Sequence, residues 1–357
     1  MNAGENVTIE SLIQEWDGET VIARFDRPTG AWIFIAIHST RLGPATGGTR
    51  MKNYPDAPAA LEDAFRLAAS MTSKYATADF PRGGGKAVIA LPSGFDLKAR
   101  PALLRRYGSL VRQLGGLFYT GPDVGTCSAD MDVIAETGAP YIFARTPAAG
   151  GAGDSAPPTA LGVFCGIQTT CEYLFGDASL QGRRVLVQGA GGVGGRLIER
   201  LRAAGAHVSF NDVDDAAVRH YRDEIGLPFV DANQVYATPC DLFSPCALGG
   251  ILNQDTIPRL QCRAVVGCAN NQLAMPDDAE RLRARGILYA PDFVVNIGGA
   301  MAITGIEALG WSPAYAEEQV MRVRETLMKV FERAKAAGIT TDAAARQMAE
   351  ERLAKGQ

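Results

Sequence analysis

Apolar and polar positions alternate from Thr20 to Phe25, turn residues fill Asp26 to Gly30, and Ala31 to His38 is rich in strand formers. Residues 20–39 therefore predict a strand pair, with His38 an ordinary strand histidine. After a glycine-bearing loop, Leu42 to Arg50, the period changes. Leu61, Ala64, Phe65, Ala68 and Met71 recur at helical spacing behind Asp56, which can cap a helix running to about Ser73. That helix delivers Lys74 at its end, near a turn made by Gly83-Gly84-Gly85 and Lys86, from which the apolar strand Ala87 to Leu91 departs. Lys98 to Leu114 predicts the next helix, and Gly115 to Thr126 a short apolar strand whose closing turn presents Asp123. Asp130 to Gly138 predicts a helix and Tyr141 to Arg145 a strand. Gly150-Gly151-Ala152-Gly153 then offers a hinge between domains.

The second half changes character. Arg183 to Gln188 reads as a fully buried strand that runs into Gly189-Ala190-Gly191-Gly192-Val193-Gly194 and then a helix with apolar Leu197, Ile198 and Leu201. Ala206 to Asn211 is a second strand, ending at Asp212. Cys240 to Phe243, Ala264 to Gly267 and Gly286 to Ala290 add short strands, each followed by a loop of small or amide residues: 244–250, 268–272 and 292–299. From Ser312 onward the chain is helical and charged, with Met321, Leu327 and Phe331 as buried positions. Strands alternating with helices predict an α/β fold with a doubly wound parallel sheet.

A GxGxxG lying between strand and helix, with an acid eighteen residues after its last glycine, is the pattern of a dinucleotide site. Its glycines let a pyrophosphate sit on the helix N-terminus, where free N–H groups favour anions. Asp212 is placed to accept hydrogen bonds from a ribose and would repel a 2′-phosphate, so NAD is expected rather than NADP. In such a sheet the ligand lies outside the carboxyl ends of the strands, so the later loops should line the nicotinamide end.

Two lysines, Lys74 and Lys86, lie twelve residues apart in the first half. Facing one pocket, they would bind an anion and lower each other's pKa, which suits proton transfer near neutral or mildly alkaline pH. The plain alternative is a solvated lysine beside a turn, and for Asp123 an ordinary turn or helix cap.

With 357 residues the chain has room for about two domains. A net charge of -4 without a basic block excludes nucleic acid as an expected partner. No uninterrupted apolar run reaches membrane-spanning length, and residues 1–14 lack the profile of a signal peptide, so no membrane association and a cytoplasmic location are expected. Seven cysteines without a C-x-x-C pair read as reduced thiols; Cys240/Cys246 and Cys262/Cys268 have poor zinc spacing, and no metal is expected. Only three histidines occur, leaving few candidates for a histidine-based site.

These residues together resemble the glutamate/leucine/phenylalanine/valine dehydrogenase family over nearly the full length. The likeness rests on Gly-Gly-Thr-Arg (47–50), Met-Thr-x-Lys (71–74), Gly-Gly-Gly-Lys (83–86), Gly-Pro-Asp-Val-Gly-Thr (121–126), the GxGxxG, Ala-Asn-Asn (269–271) and Tyr-Ala-Pro-Asp-Phe-Val-Val-Asn (289–296). The resemblance implies reversible, NAD-dependent oxidative deamination of an L-amino acid to a 2-oxo acid and ammonia. It implies that Lys74, helped by Asn296, holds the substrate carboxylate, that Lys86 activates water, and that Asp123 shuttles protons to and from the amine. Gly47, Gly48, Thr46 and Gly121 fall in the substrate set. Gly189, Gly191, Gly192, Val193, Gly194, Asp212, Ala247, Ala269, Asn270, Asn271 and Thr159 fall in the cofactor set. It further implies a homo-oligomer, with residues 1–150 as the catalytic and oligomerisation domain, 151–335 as the NAD domain, and 336–357 as a helix returning to the first.

Glutamate-specific members carry a lysine where this chain has Thr46, so a glutamate substrate would lack its counter-charge. Gly121 leaves space where leucine-specific members tend to have alanine. The segments 119–123 and 150–153 look most like phenylalanine-specific members, while Thr46 and Ile297 depart from the common pattern. Phenylalanine is the expected substrate, with leucine or valine as the alternative and a non-catalytic NAD-binding regulator as the outlier. A hydroxy-acid dehydrogenase would use a histidine acid/base, and neither His207 nor His220 is well placed.

Overall fold

The structure is a computed structural model that describes residues 8–356. By their contacts these residues form two compact units. One takes the chain up to Asp154 with Ile303–Trp311 and the residues from Ala349 on; the other takes Ser155–Ala302 and Ser312–Met348. This division differs from the boundaries expected from sequence, because Ile303–Trp311 leaves the second unit and the last crossing falls inside the helix Thr341–Lys355.

The first unit is built on a mixed five-stranded sheet: β1 (Thr20–Asp26), β2 (Ala31–Ser39), β3 (Ala45–Asn53), β4 (Gly83–Leu91) and β5 (Phe118–Pro122), in the order β1-β2-β4-β3-β5. β1, β2 and β4 pair antiparallel, and β3 pairs parallel with β4 and β5. The two faces of β2 and β4 are separated by their alternation. Ile33, Ile35, Ile37, Ala87 and Ile89 pack on Leu103, Leu104, Tyr107 and Val111 of the helix Arg100–Gln113. Phe34, Ala36, Val88 and Ala90 pack on Leu61, Ala64, Phe65 and Ala68 of the helix Ala57–Thr77, which Asp56 caps. With both faces covered, truncating one of these isoleucines to alanine should cost about 2–5 kcal/mol.

Several sequence expectations change here. Leu42–Arg50 is not a loop throughout, because Ala45–Asn53 is β3. The Gly83-Gly84-Gly85 triplet is not a turn but the start of the buried β4. None of its glycines has a positive φ; they are needed for close approach. A Cβ on Gly84 would stand 2.1 Å from Thr72 Oγ1, and one on Gly83 would stand 2.0 Å from the Ser39 carbonyl oxygen. Glycine-rich, polar-looking stretches escape a pattern built on apolar alternation. Tyr141–Arg145 is no strand and contributes only the bridge Thr120–Ile142. His38 is structural as expected, its ring nitrogens 2.9 Å from Thr72 Oγ1 and 3.2 Å from Asp17 Oδ1.

The second unit carries a wholly parallel sheet: β6 (Arg184–Gln188), β7 (His207–Asn211), β8 (Leu242–Pro245), β9 (Ala264–Val265) and β10 (Leu288–Tyr289), in the order β10-β9-β8-β6-β7. This is a doubly wound, Rossmann-type order, with the order of strand addition reversing between β6 and β8. Residues 292–299 are not a loop; Asp292–Val295 is a short helix, and Gly298 opens the helix Gly298–Leu309. The stretch Asp292–Leu309 is apolar and long enough to cross a membrane by composition, but it is 72% buried within the fold. Leu327 and Phe331 are buried, whereas Met321 is 37% exposed, on the solvent side of its helix.

Candidate active site

In the first unit the sheet brings Lys86, Asp123 and Arg50 together. Lys86 lies inside β4 on the face of Val88, and Asp123 follows directly on β5. Lys86 Nζ is 3.2 Å from Asp123 Oδ2, and the two side chains are 6% and 16% exposed. Gly48, on the strand between them, makes the meeting sterically possible, since a Cβ there would stand 2.9 Å from Asp123 Cβ and 2.7 Å from the Pro122 carbonyl oxygen. Gly47 lies so close to β4 that a Cβ would meet the Gly85 carbonyl oxygen at 1.8 Å. The turn after Asp123 is fixed by its N–H donating to Thr126 Oγ1 (2.9 Å), which donates in turn to the Thr49 carbonyl (2.8 Å). Gly125, at φ 82°, abuts Met51 in a conformation that favours glycine.

Arg50 was left without a role by the sequence reading. Its Nε donates to Asp123 Oδ2 (2.8 Å) and its Nη1 to Asp63 Oδ2 (2.9 Å). Asp63 also accepts from Tyr54 OH (2.7 Å) and Arg66 Nη2 (2.6 Å). The available signal was the arginine closing Gly-Gly-Thr-Arg together with an acid at position 63 amid the apolar positions of its helix.

The partners answer this geometry differently. Burial alone would raise the Asp123 carboxyl, but Lys86 and Arg50 outweigh it and hold its pKa at about 2. For Lys86 burial wins: it pushes the ammonium pKa down, Arg50 adds to that, and Asp123 offsets only part. One carboxylate shared by two cations cannot fully compensate either. Burial thus favours proton loss from Lys86, while its two cationic neighbours favour the ionised form of Asp123.

Lys74 lies in the last turn of the helix Ala57–Thr77 and is 8% exposed. Thr46 is fully buried, and its hydroxyl donates to the Pro44 carbonyl (3.1 Å), so it brings no charge. At Gly121 the structure shows what borders the glycine. A Cβ would stand 3.2 Å from Phe143 Cδ2, and Phe143 stacks on Tyr119 with ring centroids 6.1 Å apart. The space that the glycine leaves is bounded by Phe143, a residue nothing in the local pattern singled out.

In the second unit the glycine loop opens the helix Gly192–Ala203 at the carboxyl end of β6. Gly189 has φ 96°, and its missing Cβ would stand 2.8 Å from Ala247 Cβ; a Cβ on Gly194 would stand 1.8 Å from the Gly189 carbonyl oxygen. Gly191 has open space around it, and the helix begins there without a side-chain cap. Val193 follows within the first turn. Free N–H groups beside an uncrowded glycine fit the pyrophosphate of NAD. Asp212 accepts from the N–H groups of Ala190 (2.5 Å), Val213 (2.7 Å) and Asp214 (2.9 Å), tying the loop to the end of β7.

Of the remaining cofactor candidates, Ala247 follows β8, Ala269, Asn270 and Asn271 lie in the loop after β9, and Thr159 lies in the first turn of the helix Ala156–Phe175. Ala269 donates its N–H to the Pro245 carbonyl (3.0 Å), Asn271 (φ 53°) donates its N–H to Asp292 Oδ2 (2.5 Å), and Thr159 Oγ1 donates to the Ser155 carbonyl (2.8 Å). Asn296 Nδ2 donates to the Cys268 carbonyl (3.1 Å) and to Asn270 Oδ1 (2.9 Å), which leaves its Oδ1 buried without a hydrogen-bond partner. Asn296 thus presents an acceptor at this position.

A family profile described as "Glu/Leu/Phe/Val dehydrogenase, dimerisation domain" matches residues 27–139, and one described as "Glutamate/Leucine/Phenylalanine/Valine dehydrogenase" matches residues 209–357. The chain is 40% identical over 341 residues to a leucine dehydrogenase of Geobacillus stearothermophilus, covering 96% of this chain and 92% of that one. It is 42% identical over 343 residues to a valine dehydrogenase of Streptomyces coelicolor, covering 95% and 93%. Among solved structures, L-tryptophan dehydrogenase from Nostoc punctiforme superposes with a TM-score of 0.81 at 37% identity, covering 98% of this chain and 99% of that one. With the fold, the glycine loop and these relatives in agreement, the chain belongs to the glutamate/leucine/phenylalanine/valine dehydrogenase family and is an NAD-dependent amino acid dehydrogenase.

Proposed function

We propose that the protein oxidatively deaminates an apolar L-amino acid to its 2-oxo acid and ammonia, with Lys86 and Asp123 handling the protons. The observation that carries this reading is the buried Lys86–Asp123 contact at 3.2 Å. Lys74 binds the substrate carboxylate as a buried ammonium, and Asn296 Oδ1 accepts from the amino group. Asp123 takes a proton from that amino group, freeing the nitrogen lone pair. The NAD held by the glycine loop would supply the hydride acceptor for Cα. Water then adds to the resulting imine carbon as Lys86, in its basic form, removes a proton from it. Asp123 returns its proton to the carbinolamine nitrogen; the C–N bond then breaks as the hydroxyl oxygen forms the carbonyl, its proton passing to the freed Asp123 carboxylate and ammonia leaving, while the charged Lys86 steadies that oxygen. Gly47 and Gly48 keep the backbone close to the reacting centre. Gly189, Gly191, Gly192, Val193 and Gly194 hold the pyrophosphate, Asp212 the ribose, and Ala247, Ala269, Asn270, Asn271 and Thr159 the remainder of the dinucleotide.

For the side chain, the names of the leucine and valine relatives and the Phe143 ring over Gly121 support a branched aliphatic substrate. Phenylalanine is the second reading, supported by the tryptophan dehydrogenase neighbour. A match to a dimerisation-domain profile supports a homo-oligomer, and a cytoplasmic location fits its reduced thiols. The test follows NADH absorbance at alkaline pH with NAD and L-Leu, Val, Phe, Tyr, Trp and Glu. Turnover led by Leu or Val supports the first reading and turnover led by Phe the second. Turnover led by Glu, or none with any of the six, overturns both.

A further inference from the structure

The sequence pairs its cysteines as 240/246 and 262/268, but the sheet pairs them otherwise. Cys240 and Cys262 flank the starts of β8 and β9, where the Cys240 N–H donates to the Gln261 carbonyl (3.1 Å). Cys246 and Cys268 follow the carboxyl ends of the same two strands. The Cys268 thiol donates to the Cys246 carbonyl oxygen (3.7 Å), which sets the two side chains side by side. Ser244 Oγ lies 3.5 Å from the Cys246 sulfur. Cys246 is partly exposed, whereas Cys268 is 9% exposed behind it.

The two pairs differ in chemistry as well as position. Burial pushes the Cys240 and Cys262 thiols up to about 12, which leaves them inert. At Cys246 the hydrogen bond from Cys268 outweighs burial and lowers the thiol pKa, with Ser244 helping. The thiolate is the reactive form, so the pair at the carboxyl ends combines an activated sulfur, on a residue that is partly exposed, with a second thiol beside it.

We propose that Cys246 and Cys268 form a peroxide-sensitive dithiol that closes to an intramolecular disulfide and, in closing, loosens the hold on the dinucleotide. The Cys246 thiolate attacks a hydroperoxide oxygen; an S–O bond forms, the O–O bond breaks, and the leaving oxyanion takes a proton to become an alcohol or water. The Cys268 sulfur then attacks the Cys246 sulfur; the S–S bond forms, the S–O bond breaks, and hydroxide leaves with the Cys268 proton as water. Two thiols lose two electrons, and the hydroperoxide gains them.

The link to the cofactor is steric, and this part rests on assigning the glycine loop to NAD. Cys246 Cβ stands 3.2 Å from where Gly194 would carry a Cβ, and Ala247, the next residue, backs Gly189. Drawing the Cys246 sulfur toward Cys268 displaces the support of both glycines. By reciprocity, bound NAD must oppose disulfide formation as much as the disulfide opposes NAD.

The test treats the full-length reduced protein with hydrogen peroxide, with and without NAD, and maps peptides by mass spectrometry under non-reducing conditions. A peptide linking Cys246 to Cys268 is expected, formed more slowly with NAD present, reversed by dithiothreitol and absent from Cys246→Ser. Cys268→Ser should instead leave a sulfenic acid on Cys246 that dimedone traps. Linkage through Cys240 or Cys262, or no linkage while those two react as fast as Cys246, overturns the dithiol. NAD affinity by titration should fall about tenfold or more on oxidation, in the usual range of coupling between sites, and return with dithiothreitol. An unchanged affinity in the cross-linked protein overturns the coupling. Failure of the reduced protein to bind NAD overturns the cofactor assignment, while the peptide map still judges the dithiol.

Discussion

The two sheets use glycine in opposite ways. In the first unit Gly47, Gly48 and Gly84 stand among atoms: an added Cβ would lie 1.8 Å from the Gly85 carbonyl oxygen, 2.7 Å from that of Pro122, or 2.1 Å from Thr72 Oγ1. Their absence of side chains lets charged groups and a helix crowd onto strand interiors, so that Lys86 works from the middle of β4. In the second unit Gly191 stands in open space at the carboxyl end of β6, leaving room for something the chain does not supply. Gly47, Gly48 and Gly84 pack the protein against itself, as Gly189 and Gly194 do within the glycine loop; Gly191 makes way for a ligand. On the proposed mechanism, reactive side chains therefore lie inside the first sheet, and backbone N–H groups serve at the carboxyl end of a central strand of the second.

The largest expected effect tests the first half of that contrast. Lys86→Ala should cut turnover by about 10²–10⁴, the usual worth of a positioned acid/base. NAD affinity should stay intact, because the cofactor groups belong to the other sheet. Melting should not fall, since Asp123 keeps Arg50 as a partner at 2.8 Å. Steady-state kinetics beside an NAD titration separates these, and retained turnover would sink the role given to Lys86.

Gly84→Ala and Gly191→Ala then set the two kinds of glycine against each other. The first must push the helix Ala57–Thr77 off β4 and should destabilise by about 1–3 kcal/mol, as overpacking does. The second meets nothing within 4 Å and should leave thermal unfolding unchanged while weakening NAD binding. Calorimetry and cofactor titration on both variants decide it; a destabilised Gly191→Ala with normal NAD affinity would erase the contrast.

The same contrast explains what the sequence made legible. The second unit's glycine loop, its flanking strand and helix, and Asp212 follow from spacing alone, because a ligand-facing loop must be written in local sequence. The first unit was harder. A glycine-rich strand looks like a turn, so β3 and the start of β4 went unrecognised. Arg50, Asp63 and Phe143 are brought to the site by tertiary packing across strands and a helix, which no local periodicity encodes. The glycine triplet and the lysine pair mark Lys86, the resemblance gives it and Asp123 their roles, and only the sheet brings them to 3.2 Å.

A smaller effect concerns substrate choice. Phe143→Ala removes the ring that bounds Gly121 and should shift the ratio of kcat/KM for Phe over Val upward by about 10–100-fold, the range a few methylene-sized contacts provide. Measured on purified protein with both amino acids, an unchanged ratio would mean that Phe143 does not border the substrate side chain.

The smallest expected change is in pH dependence, and it asks whether Arg50 acts on the chemistry or only on packing. Deamination needs Lys86 unprotonated, so the acid limb of kcat/KM follows the Lys86 pKa in the free enzyme. Arg50 depresses that pKa twice, by its own positive charge and by taking part of the Asp123 carboxylate. Arg50→Gln removes both influences, so the limb should move to higher pH, and Arg50→Lys should restore part of the shift. Asp123 supplies a control with its own sign. Its depressed pKa contributes stability that is present above the ordinary carboxylate value of 3.8 and is lost as pH falls through about 2. Losing Arg50 raises the Asp123 pKa toward that ordinary value, so acid unfolding should begin at higher pH in Arg50→Gln. A purely structural arginine would move acid unfolding and leave the kinetic limb where it was. Movement of the limb to higher pH, with partial return in Arg50→Lys, would show that the guanidinium sets the protonation of the lysine two strands' chemistry depends on.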